Sequence, residues 1–316
     1  MSLEFRGCYT VAVTPFTDGD QAVDVEALRS FLDWQLDVGV PGVIVLGTTG
    51  EFLTLTDDER DLVVDTTVQH VAGRVPVIAG TMNAHTPWAV RHSRRAEKLG
   101  ADGLMILPPY YYTPTDDEIF RYYGAISEAV GVPIMLYNNP VTSNVDMSAA
   151  LVARLARAFE NVRYIKESSQ QLGRVRDVID ETEGTVHVFA GERLVDSYLL
   201  GAIGYVNPYG NYVPRASARL FDLLEAGRIA EARQVQRLLD RIDHVIAAGH
   251  PTYGHQCYSK ALAAAVGHPV GDVRPPLTTF PQLGEEGRER LAQVCELIGQ
   301  AEAVIDRAEQ AEPAAC

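Results

Sequence analysis

In Gly100-Ala101-Asp102-Gly103-Leu104-Met105-Ile106-Leu107 a glycine pair leads straight into four apolar residues. The first glycine ends a helix and the run that follows has the length and bounds of a buried strand. The same device stands ahead of two other apolar runs, as Gly39-Val40-Pro41-Gly42 and as Gly201-Ala202-Ile203-Gly204. Working outward from these turns, eight candidate strands emerge: Tyr9–Val13, Val43–Leu46, Val77–Ala79, Leu104–Leu107, Ile134–Tyr137, Tyr164–Lys166, His187–Ala190 and Tyr205–Asn207. Amphipathic stretches separate them, and two begin with capping boxes, Thr56-Asp57-Asp58-Glu59 and Thr115-Asp116-Asp117-Glu118.

Strand and helix alternate, and no GxGxxG follows a strand to favour a dinucleotide fold. The expectation is an α/β protein, a (β/α)8 TIM barrel over residues 1–225. Beyond Pro214 the strands stop, and helices are expected around Ala216–Glu225, Ile229–Ala248, Ser259–Val266 and Glu285–Glu309. Residues 226–316 therefore read as a C-terminal helical extension. A chain of 316 residues with 47% hydrophobic content suffices for one large core with that addition.

The net charge of -15 is spread along the chain, which suits a solvated surface and disfavours nucleic acid. Cationic residues cluster only in short helical stretches such as Arg91–Lys98. Cys8, Cys257, Cys295 and Cys316 form no CxxC pair, so they read as reduced thiols. No apolar run approaches the roughly 18 residues of a membrane span. A cytoplasmic location is expected, with no membrane partner.

Active sites of such barrels lie at the C-terminal ends of the strands. Those ends carry Thr48, Thr49 and Glu51, then Asn83, then Tyr110, Tyr111 and Tyr112, then Tyr137 and Asn138, then Lys166 and Glu167, then Gly191 and Glu192, and finally Asn207. Only three lysines occur, Lys98, Lys166 and Lys260, and Lys166 alone terminates an apolar strand. Desolvation favours the neutral form of an amine, and a neutral amine attacks a ketone to form an imine. The competing reading is a structural lysine paired with Glu51 or Glu192.

Gly47-Thr48-Thr49-Gly50-Glu51 joins a strand to a helix, where backbone N–H groups can converge on a carboxylate. It lacks the lysine of a phosphate P-loop. Tyr137, at a neighbouring strand end, suits proton relay, or else is a buried tyrosine with a satisfied hydroxyl. Three adjacent tyrosines cannot all enter one pocket, so at least one of Tyr110–Tyr112 packs structurally. The eight histidines, including His250 and His255, show no HxxxH spacing, so neither a metal nor any cofactor is expected.

Taken in order, Val13-Thr14-Pro15-Phe16, Gly47-Thr48-Thr49-Gly50-Glu51, Pro109-Tyr110-Tyr111, Tyr137-Asn138, Ile165-Lys166-Glu167 and Arg274-Pro275-Pro276-Leu277 resemble the dihydrodipicolinate synthase and N-acetylneuraminate lyase superfamily over nearly the whole chain. The resemblance implies that Lys166 forms the imine, Tyr137 shuttles protons, and Thr48 and Thr49 hold a 2-oxo acid carboxylate and its relay. It implies that Tyr111 crosses a dimer interface, and that the assembly is a homotetramer built as a dimer of dimers. Gly47, Gly50, Glu51, Thr142, Gly191, Glu192 and Asn207 complete the expected substrate-binding set.

Thr142 stands where dihydrodipicolinate synthases carry an arginine for the aldehyde's carboxylate. A hydroxyl cannot replace a bidentate cation. The expected activity is therefore a lyase that dehydrates or cleaves a 2-keto-3-deoxy sugar acid, with Glu192 and Asn207 on substrate hydroxyls. The alternatives are a hydroxypyrroline-carboxylate deaminase, a hydratase-aldolase of aromatic substrates, 4-hydroxy-tetrahydrodipicolinate synthase, a metal-dependent aldolase and a non-catalytic ligand-sensing barrel.

Overall fold

A computed structural model describes residues 4–249 and 254–311. His250 and Cys316 lie outside them. Eight parallel strands close into a barrel in sequence order: β1 Gly7–Val11, β2 Val43–Val45, β3 Val77–Gly80, β4 Gly103–Ile106, β5 Ile134–Asn138, β6 Val162–Glu167, β7 His187–Ala190 and β8 Gly204–Asn207. Every expected strand is present. β1 lies two residues earlier than the apolar run suggested, because Val13 has left the ladder and donates its N–H to Asn211 Oδ1 at 2.9 Å.

The intervening and following helices are α1 Val25–Asp37, α2 Asp57–Val71, α3 Thr86–Lys98, α4 Asp116–Ser127, α5 Pro140–Ser143, α6 Ala149–Ala158, α7 Gly173–Glu181, α8 Leu194–Leu199, α9 Pro214–Glu225, α10 Ile229–Gly249, α11 Gly254–Ala265 and α12 Gly284–Gln310. Both capping boxes form: Thr56 and Thr115 accept from the third helical N–H while Glu59 and Glu118 return to the cap. Among the described residues no helix is long and apolar enough to cross a membrane.

The glycine pairs serve two purposes. Gly39, Gly100 and Gly201 have φ of +87°, +96° and +106°, which only glycine adopts cheaply. Their partners Gly42, Gly103 and Gly204 open the strands beneath an aromatic floor. A Cβ on Gly42 would lie 2.3 Å from the Tyr9 ring, and one on Gly204 2.3 Å from Phe189. Phe5 stacks on Tyr164 at 4.8 Å and Tyr9 meets Phe189 edge-on at 5.4 Å, closing the N-terminal end of the barrel. One core fills the barrel and its flanking helices. A second, of α9 to α12 with Tyr205 and Cys8, packs outside the seam between β8 and β1.

Candidate active site

β5 and β6 pair as Ile134 with Val162 at their start, but as Tyr137 with Lys166 at their end. The extra residue on β6, Arg163, is the exposed member of an otherwise buried strand. Such a bulge shifts the register by one and so changes which side chains share a face. Without it Tyr137 would sit beside Ile165. With it, Tyr137 and Lys166 are lateral neighbours pointing into the barrel mouth.

Lys166 is 8% exposed and Tyr137 4%. The Lys166 Nζ lies 4.1 Å from the centroid of the Tyr137 ring. Asn139 Nδ2 donates to the Tyr137 hydroxyl at 2.9 Å, and Thr48 lies close enough to act on the same group. Burial alone would raise the pKa of this phenol. The charge of Lys166, with the polar groups of Lys166, Asn139 and Thr48 facing the phenol, outweighs burial, and the net shift is downward from the ordinary value of 10.0. Among the described residues no carboxylate lies within ion-pair distance of Lys166.

Glu51 corrects the sequence reading twice over. It neither pairs with Lys166 nor faces substrate, because Oε1 sits 2.8 Å from Lys260 Nζ and Oε2 takes the Arg274 backbone N–H at 2.9 Å. Asn207 is a second correction. Side chains alternate along β8, and Val206 takes the barrel interior while Asn207 points out towards α9. There its Oδ1 accepts from the Tyr209 N–H at 2.8 Å and the Ser217 hydroxyl at 3.2 Å.

The turn itself is well anchored. Thr14 donates to the Gly50 carbonyl at 2.7 Å, and the Phe52 N–H returns to Gly47. A Cβ on Gly47 would meet Val11 at 2.5 Å, and one on Gly50 the Ala12 carbonyl at 2.9 Å. Both glycines thus let the turn lie against β1. Thr49 is buried, and among the described residues no acceptor takes the backbone N–H of Thr48 or Thr49. Two adjacent free donors beside an amine form a cradle for an anion.

Glu192 is half-buried at the mouth. Burial, then the neighbouring Glu167, pushes its carboxyl up, opposed by Arg193 and Lys166. Gly191 sits where a Cβ would lie 1.8 Å from Ser168 Oγ, so it serves close packing of the loop after β6. Thr142 lies on α5 with its Oγ1 buried and without a hydrogen-bond partner among the described residues. Arg174 and Arg193, on the elements following β6 and β7, are committed to Asp146 and Asp196.

Tyr110 packs edge-on to Phe52 at 6.1 Å, whereas Tyr111 is 81% and Tyr112 74% exposed. Tyr111 also holds φ +80°, unusual for an aromatic residue. In a single chain its hydroxyl does not join the Lys166 cluster.

The sequence reading missed Asn139, which the pattern gave no reason to separate from Asn138. It also missed His255. That imidazole is pushed down to about 4 by burial and then by the charge of Lys166, so it is neutral at physiological pH beside the amine. Its signal was hidden because α11 is remote in sequence from every strand end.

A model of the Dihydrodipicolinate synthetase family matches residues 4–296. The 4-hydroxy-tetrahydrodipicolinate synthase of Syntrophus aciditrophicus is 35% identical over 93% of this chain and 100% of its own length. That of Pelobacter propionicus is 36% identical over 93% and 99%. Among solved structures, the 4-hydroxy-tetrahydrodipicolinate synthase of Methylacidiphilum fumariolicum SolV superposes with a TM-score of 0.86 at 30% identity, covering 95% and 99% of the two chains. A prophage protein of the dihydrodipicolinic acid synthase family from E. coli K12, in complex with pyruvate, gives 0.84 at 29% identity, covering 94% and 99%.

Proposed function

The chain belongs to the dihydrodipicolinate synthetase family, whose members are lysine Schiff-base lyases, and from that premise we propose that Lys166 condenses with a 2-oxo acid and that the preferred substrate is a 2-keto-3-deoxy sugar acid. One observation carries the imine: a buried amine set 4.1 Å from the centre of a buried phenol ring, with no carboxylate partner among the described residues. Among the described residues no carboxylate therefore competes for this nitrogen, and it is available to a carbonyl carbon.

The Lys166 nitrogen adds to the C2 carbonyl, and Tyr137 passes a proton to the departing oxygen, so one water leaves as the imine forms. The substrate carboxylate lies on the Thr48 and Thr49 N–H groups. Loss of a C3 proton gives an enamine, whose electron pair expels the C4 hydroxyl as water. In the cleavage variant the C4 hydroxyl loses its proton instead, the C3–C4 bond breaks to an aldehyde and an enamine, and C3 takes up a proton to restore the imine. Water then hydrolyses the imine and frees Lys166. Thr142 offers only a hydroxyl, and Arg174 and Arg193 are paired with Asp146 and Asp196 and so are not offered to a second carboxylate, whereas Glu192 is suited to hydroxyls. The barrel 1–225 is the catalytic unit in this reading, and Tyr111, exposed and strained, serves a partner's site in a dimer or a dimer of dimers.

A second reading, 4-hydroxy-tetrahydrodipicolinate synthase, is favoured by the names of relatives at 35% and 36% identity. Borohydride with pyruvate should fix a stable mass increase on the peptide holding Lys166, and its absence would remove the imine. Turnover of a panel of 2-oxo acids then separates the readings, since reaction of pyruvate with aspartate semialdehyde supports the second.

A further inference from the structure

The Gly47–Glu51 turn is gripped from outside the barrel. Helix α11 reaches both of its ends: Gln256 Nε2 donates to the Thr48 carbonyl at 3.3 Å, and Lys260 Nζ pairs with Glu51 at 2.8 Å. Four residues separate the two, so they share one face of the helix. Lys260 is itself fixed, donating to the Asp272 carbonyl at 2.9 Å and lying 3.9 Å from the centroid of the Phe16 ring. The side chains of Lys260 and Glu51 are 1% and 0% exposed.

Glu51 holds φ +55°, a conformation that persists in a non-glycine residue only where its surroundings impose it. A buried ion pair adds little net stability, because desolvation offsets the attraction. Burial indeed pushes the Lys260 amine down, against the opposing pull of Glu51. The position of the turn, more than net stability, is what such a pair can fix.

We propose that Lys260 is a positioning residue for the lyase: with Gln256 it clamps the turn at Glu51 and Thr48, fixing where Thr48 sits beside Tyr137. The C-terminal extension thereby sets the geometry of a site whose reacting groups all belong to the barrel. The consequence for turnover rests on the Schiff-base reading, but the consequence for Tyr137 does not.

The test compares the parent with Lys260→Met and with the double variant Glu51→Gln, Lys260→Met, which removes both buried charges and so remains foldable if the single variant does not. Ultraviolet difference titration, with Tyr137→Phe as the blank, reads the Tyr137 phenol without substrate. Its midpoint should rise towards the ordinary value in the double variant, while the melting temperature stays near that of the parent. Borohydride trapping of pyruvate should be at least tenfold slower. An unchanged Tyr137 midpoint in a folded double variant overturns the clamp. If the parent itself traps no pyruvate, the Schiff-base reading fails, and the titration still judges the clamp.

Discussion

Replacing Tyr137 by phenylalanine keeps the ring that packs at 4% exposure and deletes the oxygen that accepts from Asn139. Asn139 Nδ2, at 2.9 Å, loses that partner. Leaving buried polar groups unpaired costs about 1–3 kcal/mol, so the variant should fold and melt somewhat lower. Losing a positioned proton shuttle should lower kcat by about 10²–10⁴, which corresponds to roughly 3–5 kcal/mol of barrel-mouth chemistry. The pH profile adds a second reading. The phenol must be protonated to hand its proton to the departing hydroxyl, and its pKa lies below 10.0. Activity should therefore fall as pH rises through that value in the parent, and this alkaline limb should vanish in Tyr137→Phe. Steady-state kinetics from pH 6 to about 10 with the best 2-oxo acid, alongside a melting curve, make the measurement. A variant within threefold of the parental kcat that keeps the limb would refute the shuttle.

Thr142→Arg should raise kcat/KM for pyruvate with aspartate semialdehyde by about tenfold or more, since a hydrogen bond to a charged group is worth about 1.5–3 kcal/mol; no gain would mean that the position does not meet the second carboxylate. Glu59 is pushed down to about 2, chiefly by the Arg274 hydrogen bonds, with burial opposing. Its stabilisation is therefore present above the ordinary carboxylate range and is lost as pH falls from about 4.5 towards 2, by at most about 3 kcal/mol. Glu59→Gln should flatten the acid limb of the melting temperature in that window, and equal slopes would argue against it. Gly204→Ala puts a methyl 2.3 Å from Phe189 and 2.6 Å from the Gly7 carbonyl. Overpacking of this kind should cost about 1–3 kcal/mol in thermal unfolding, and a parental melting curve would mean that the aromatic floor yields.

The amino-acid sequence alone determined the alternation of strands and helices, the helix starts at Thr56 and Thr115, and the placing of Lys166 at a strand end. These depend on periodicity, caps and turns, which act within a few residues of one another. Tertiary structure decided the rest. The bulge at Arg163 sets Tyr137 beside Lys166, and no local pattern distinguishes that register from one shifted by a residue. Glu51 reads as a mouth residue until Lys260 and Arg274, more than two hundred positions away, take both of its oxygens. Asn207 sits at a strand end like Lys166, but the pleat turns it to the outer layer. Which face a side chain takes, and which charge finds it, follows from the closing of the barrel and the docking of α11, events that bring together residues with no shared neighbourhood in the chain.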